Sequence, residues 1–121
     1  MLKRVAVWAI LAALALPALA LDADEAKAIR LVRNYRPAGS GPTISQMLTT
    51  DVLPLFTKVG DDRVISWSAT QWELEWYVVN FTITVHWNDT TMKDTTIYAF
   101  AVHPHLGIVA PLGDYAESLW P

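Results

Sequence analysis

The sequence predicts an α+β domain: N-terminal helices packed on one face of a four-stranded antiparallel meander, closed by a short C-terminal helical turn. Three observations carry this. Between Asp22 and Val59 apolar side chains recur every three or four residues, the spacing of a helix with one buried stripe. From Arg63 onward the period falls to two, the spacing of strands that turn one face to a core. Turn-forming segments at residues 37–42, 60–62, 88–95 and 104–107 separate the runs.

The first helix is well punctuated. Asp22 is placed to cap it, Glu25 follows three residues later as in a capping box, and both acids meet the positive end of the helix. Ala28, Leu31, Val32 and Tyr35 make the apolar stripe and Ile29 widens it. Lys27, Arg30 and Arg33 fall on the other side and, with the nearby Arg36, form a basic strip. The segment Pro37-Ala38-Gly39-Ser40-Gly41-Pro42 cannot continue a helix, because proline removes donors and glycine is costly to order. Thr43 and Gln46 repeat the capping-box spacing, and Ile44, Met47, Leu48, Val52, Leu55, Phe56 and Val59 keep a helical period. A proline ring clashes with the carbonyl four residues back, so Pro54 divides this stretch into a helix over Ile44–Asp51 and a kinked or separate turn over Leu53–Lys58.

The strongest strand is Tyr77–Trp87, where Tyr77, Val79, Phe81, Ile83, Val85 and Trp87 alternate with Val78, Asn80, Thr82, Thr84 and His86. Thr96–His103 alternates in the same way, with Tyr98, Phe100 and Val102 as its apolar set, and the two form a hairpin around residues 88–95. Matching core residues across the pair requires partner numbers with an odd sum. A sum near 183 suits the loop and sets Phe81 against Val102, with a slip of two residues also allowed. The opposite face then carries Asn80, Thr82, Thr84, Ala99, Ala101 and His103. Ile65, Trp67 and Ala69 make a shorter strand before the hairpin, and Ile108–Leu112 another after the Pro104–Gly107 turn. The phase slips between Trp72, Leu74, Trp76 and the Tyr77 series, which points to a bulge or separate arm at Trp76. Asp114 and Glu117 repeat the capping-box spacing, so Tyr115–Trp120 is read as a last helical turn.

Ahead of this domain, residues 1–20 read as a signal peptide. Lys3 and Arg4 supply the positive start, Val5–Leu16 the apolar run, and Ala18-Leu19-Ala20 a small-x-small cleavage site after Ala20. The rival is an uncleaved anchor, since Val5–Leu21 is a run of 17 uncharged residues, near the lower limit of a spanning helix. Pro17 and the Ala-x-Ala ending favour cleavage, leaving residues 21–121 as one α+β domain. Cleavage leaves seven basic and twelve acidic residues, so the formal charge moves from −3 to −5, which argues against nucleic acid as a partner. The absence of cysteine excludes a disulfide scaffold, a thiolate zinc site, a thiol nucleophile and a lipidated N-terminal cysteine.

No cluster of reactive side chains meets the requirements of catalysis. With β pairing as above, His103 sits opposite Asn80 and roughly 20 Å from His86 at about 3.3 Å per residue, too far to share an ion. His103 and His105 are closer but have no carboxylate nearby in sequence. Ser66 and Ser68 have neither a nucleophile elbow nor a Gly-rich oxyanion loop. Glu73 and Glu75 lie two apart, so on a strand they point to one side, as a carboxylate pair or as the wet face of an arm whose other side is Trp72, Leu74 and Trp76. Trp rings anchor interfaces and sugar platforms, and Trp72 and Trp76 fall outside the core alternation, so Trp72, Trp76, Glu73 and Glu75 form the candidate contact surface. The strip of Lys27, Arg30, Arg33 and Arg36 is a second candidate, suited to acidic wall polymers or lipid headgroups.

The stretch Tyr98-Ala99-Phe100-Ala101-Val102-His103-Pro104-His105-Leu106-Gly107-Ile108-Val109 resembles the strand, turn, Gly, strand ending of small exported PepSY and cystatin-like domains. The resemblance implies a helix packed on an antiparallel sheet and a non-catalytic binding or inhibitory role outside the cytoplasm. It transfers no site residues. The reading that follows is a periplasmic or secreted interaction module without enzymatic activity, cofactor or metal, partnered by an envelope protein or a wall component. Its contact surface is either the Trp72–Trp76 arm or the exposed sheet face with Ala99 and Ala101, whose small side chains let another backbone approach. Two other readings remain: a ligand carrier or enzyme on a curved sheet of the nuclear-transport-factor kind, and a membrane-tethered subunit that keeps its N-terminal helix.

Overall fold

The computed structural model describes residues 22–56, 62–86 and 93–121. The expected signal peptide, Trp87 and the 88–92 part of the hairpin loop lie outside the described residues. The fold is α+β, as the change of period implies. Helix α1 (Ala23–Asn34) begins at Asp22, whose side chain accepts from the Glu25 amide at 2.8 Å while Glu25 accepts from the Asp22 amide. This reciprocal cap satisfies two amides that the first turn leaves without helical partners. Ala28, Ile29 and Val32 are buried and Leu31 packs at their margin. Tyr35 ends the helix and stacks on Trp120, ring centroids 5.8 Å apart.

A loop follows in which Gly39 and Gly41 both take positive φ. Helix α2 (Ile44–Met47) has the second capping box, Thr43 with Gln46. It is shorter than the expected Ile44–Asp51. From Leu48 to Val52 the backbone widens into a π-helical turn, with the Leu53 amide bonding back to the Leu48 carbonyl, and Leu53–Phe56 then tightens into a 3₁₀ turn. Pro54 accounts for the change: its ring clashes with an α-helical Thr50 carbonyl, and the wider turn moves that carbonyl aside.

Four strands form one antiparallel sheet in the order β1-β2-β3-β4: β1 (Asp62–Glu73), β2 (Trp76–His86), β3 (Lys93–His103) and β4 (Ile108–Leu112). Helix α1 lies across β1, β2 and β3, all on one face. That face carries Ala69, Tyr77, Val79, Phe81, Ile83, Tyr98, Phe100, Val102 and Val109, all buried. With Ile44, Leu48 and Val52 from the helical half they make a single core. Ile65, expected among them, keeps 45% of its surface exposed at the far end of the edge strand.

The hairpin register differs from the expected one. Phe81 pairs with Tyr98, Val79 with Phe100 and Tyr77 with Val102, so partner numbers sum to 179 and the slip is four residues. The parity requirement holds, and Tyr77, Val79 and Phe81 still meet core residues, while Ile83 now lies opposite Thr96 and Val85 opposite Asp94. The shift arises because Lys93, Asp94 and Thr95, polar enough to read as loop, join β3 opposite His86, Val85 and Thr84. The arm at Trp76 is not separate either. β1 runs twelve residues and pairs with β2 up to Glu73 opposite Trp76, with one irregularity between Gln71 and Glu73. The phase slip is therefore a bulge at Trp72, and residues 74–75 make the turn, with Leu74 at φ 42° and its carbonyl accepting from the Gln71 amide group.

Gly107 takes the expected positive φ in the β3–β4 turn. The last helix, α3 (Gly113–Glu117), starts earlier than predicted and has no side-chain cap. Gly113, at φ 84°, turns the chain out of β4, which places Asp114 inside the first turn and not ahead of it. The segment still docks the C-terminus: Trp120 packs on Tyr35 and on Phe100, and Ala116 is buried.

Candidate interaction surface on the open face of the sheet

Helices cover one side of the sheet. Side chains one position out of phase with the core point to the other side, and no described helix lies over it. The ladder aligns them in rows: Val64, Thr84 and Thr95; then Ser66, Thr82 and Ile97; then Ser68, Asn80, Ala99 and Leu112; then Thr70, Val78, Ala101 and Ala110. None of these is charged. Val64 and Ile97 are 55% and 45% exposed. Ala101, by contrast, is buried between the larger Val78 and its neighbours. Asn80 stands near the middle of β2, and its Oδ1 is shielded from solvent without a hydrogen-bond partner. A shielded polar atom left unpaired costs roughly 1–3 kcal/mol, which makes it the least satisfied point of the face.

One end of this face is aromatic. Trp76, on the open side, meets the edge of the His103 ring at 5.2 Å, and His103 pairs with Ile108. Glu75, in the turn, places Oε1 3.6 Å from His103 Nε2, while the Leu106 amide donates to His103 Nδ1 at 3.2 Å. His103 thus has a carboxylate beside it. It stands next to Trp76 and not opposite Asn80, and at ten residues along the strand from His86 the two histidines are farther apart than expected, roughly 33 Å. The bulge leaves Trp72 56% exposed. Glu73 ends β1 and Glu75 lies in the turn, so the two acids do not line one strand face as a carboxylate pair.

The basic strip is divided. The Arg33 guanidinium sits over the Trp67 ring at 5.8 Å, a cation–π contact, and Arg36 donates to the Gly41 carbonyl, holding the loop. Lys27 and Arg30 line an open depression of about 280 Å³ with Leu31 and Asn34 on the outer side of α1. The strip lies across the domain from the open sheet face, and the two candidate surfaces do not join.

The titration chemistry is that of a core. Burial pushes the Tyr77 phenol above its ordinary value of 10.0, and the nearby acids at the start of α1, Asp24 first, then Asp22 and Glu25, add to the push. Tyr98 is raised by burial and then by Tyr115, whose ring lies 5.5 Å away. Among the described residues no group of three His, Asp or Glu side chains is placed to hold a metal ion, and no helix is long and apolar enough to cross a membrane.

Period-two alternation indicates most of the open face in advance, including Asn80, Ala99 and Ala101. It also sets Ile97 on that face, opposite the Tyr98 series, but it does not reveal the Glu75–His103 pair, which depends on a register set by polar residues. A partner sum of 179 would have found the pair. Comparison with protein-family models, curated proteins and solved structures finds no match for this chain, so the likeness of the closing hairpin to PepSY and cystatin-like domains rests on those residues alone.

Proposed function

We propose that this chain is a small exported, non-enzymatic interaction module of the periplasm or cell envelope, and that it binds through the open face of its sheet, extended at one end by Trp72 and Trp76. The observation that carries the reading is the contrast in cover. Helices bury most of one face, while the other presents Val64 and Ile97 to solvent in four uncharged rows, bounded by His86 and Lys93 at one end and by Ile108 with the His103–Glu75 pair at the other. A contiguous uncharged surface with apolar members is what protein contacts use and what isolated monomers avoid. The curved-sheet carrier is less well supported, because the space between helices and sheet is filled by Phe100, Ile44, Leu48, Val32 and Val79.

The test is intact mass and N-terminal sequence of the protein, captured with its crosslinked neighbours from the native envelope fraction. A chain beginning at Leu21 and joined to one stoichiometric protein neighbour, a second copy included, supports the module. Retention of Met1 makes the chain a tethered membrane subunit. Cleavage with no protein neighbour contradicts the proposal and turns the search to a small ligand.

A further inference from the structure

We infer that the occupant of the open face is a second copy of this chain, stacked face to face about a twofold axis that passes near Asn80 and Ala99. This rests on the reading of that face as a contact surface and names its partner. The first argument is self-complementarity. In an isologous contact each patch must accept its own image. A charged patch fails that condition by like-charge repulsion, more so on a chain of net charge −3. The four central rows of the open face satisfy it, because their polar members are serine, threonine and asparagine, which both donate and accept, while His86 with Lys93 and His103 with Glu75 stand at opposite ends, away from the axis.

The second argument is shape. Ala99 and Asn80 are paired partners near the midpoints of β3 and β2, and Ala101 lies in the next row, so the smallest side chains are central where two sheets must approach. Stacked sheets lie about 10 Å apart. The third is the unpartnered Asn80 Oδ1. The terminal torsion of asparagine is soft, so this amide can turn outward to a hydroxyl or to its own counterpart across the axis. The fourth is area. With strands about 4.8 Å apart and about 3.3 Å per residue, the face offers roughly 500 Å² per copy. The pair then buries roughly 1,000 Å², the lower bound for a specific interface, so the dimer is expected at micromolar and higher concentrations.

Sedimentation velocity on the purified protein, from about 1 to 200 μM, tests this directly. A monomer–dimer equilibrium is expected. Ala99→Glu, which sets two carboxylates together at the axis, and Ile97→Lys, at a site already exposed, should each weaken association at least tenfold, with melting curves unchanged at concentrations where both wild type and variant are monomeric. The absence of native cysteine permits a positional control. Ala99→Cys should be bridged to its counterpart by a short bismaleimide, and Arg30→Cys, on the outer side of α1, should not. A monomer at every concentration, or a dimer indifferent to both charges and bridged at Arg30→Cys, overturns the inference. If the monomer still acquires a crosslinked envelope neighbour that Ala99→Glu abolishes, the second copy is wrong and the contact face stands. If Ala99→Glu changes neither association nor capture, both fall.

Discussion

The two faces of this sheet are written by the same strands, one residue apart, and they differ in every physical respect. On β3, Phe100 is wholly buried under Trp120 while its neighbour Ala99 looks outward. On β2, Phe81 packs against Trp67 at 4.8 Å while Asn80 keeps a shielded, unpaired oxygen. The covered face is apolar and large, and its energy comes from burial. The open face is small, hydroxyl-rich and uncharged across its four central rows, and contributes little to the fold of one chain. A face with no role beyond solvation would carry lysine and glutamate, as exposed sheet faces and edges commonly do. That contrast carries the functional reading.

The comparison can be broken at its strongest point first. Phe100→Ala removes a fully buried ring and should cost about 3–5 kcal/mol in denaturant melts, whereas Ala99→Ser beside it should stay within about 0.5 kcal/mol. Equal losses at both positions would mean that the two faces are not energetically distinct. A smaller effect is expected at the start of the helical layer, where Asp22→Ala removes the reciprocal cap and should cost about 1 kcal/mol. It should leave any association through the open face unchanged, since α1 lies on the other side of the sheet.

The covered face should also respond to alkali. A phenol whose folded-state value is raised contributes stability that is fully present below 10.0 and is lost as pH climbs through the higher folded value, because the unfolded chain releases its proton first. Wild-type protein should therefore lose stability as pH rises beyond 10.0, and Tyr77→Phe should reduce that slope. An identical slope in the variant would remove Tyr77 from the account. The smallest change is expected for Ile97→Lys, which should move the unfolding free energy by no more than about 0.5 kcal/mol although it adds a charge to the middle of the open face. A large loss would show that Ile97 supports the fold of the single chain.

Much of this was legible in the sequence, and what was not has identifiable causes. The helical and stranded halves, both capping boxes at Asp22 and Thr43 and the composition of the open face follow from period and spacing, which are local. The register is not local. Parity is enforced by the apolar face, but among odd sums the choice is made by how far Lys93, Asp94 and Thr95 extend the ladder, and polar residues carry no period that declares it. The same four-residue slip hid the proximity of Glu75 to His103. At the C-terminus, the Asp114 and Glu117 spacing suggested a cap that Gly113 pre-empts by turning the chain one residue earlier. The arm at Trp72 and Trp76 illustrates the same limit: the phase slip was visible, but that a single bulge absorbs it depends on pairing with a strand that has no such slip.

The central claim is that the open face is covered in the protein's native setting, and maleimide labelling of single cysteines measures this most directly. In the native envelope fraction, Thr82→Cys, in the middle of the open face, should label slowly, and after purification and dilution it should label quickly. Arg30→Cys, on the outer side of α1, should label at the same rate in both. Equal, rapid labelling of Thr82→Cys in both settings would show a face that nothing covers, and would contradict the account.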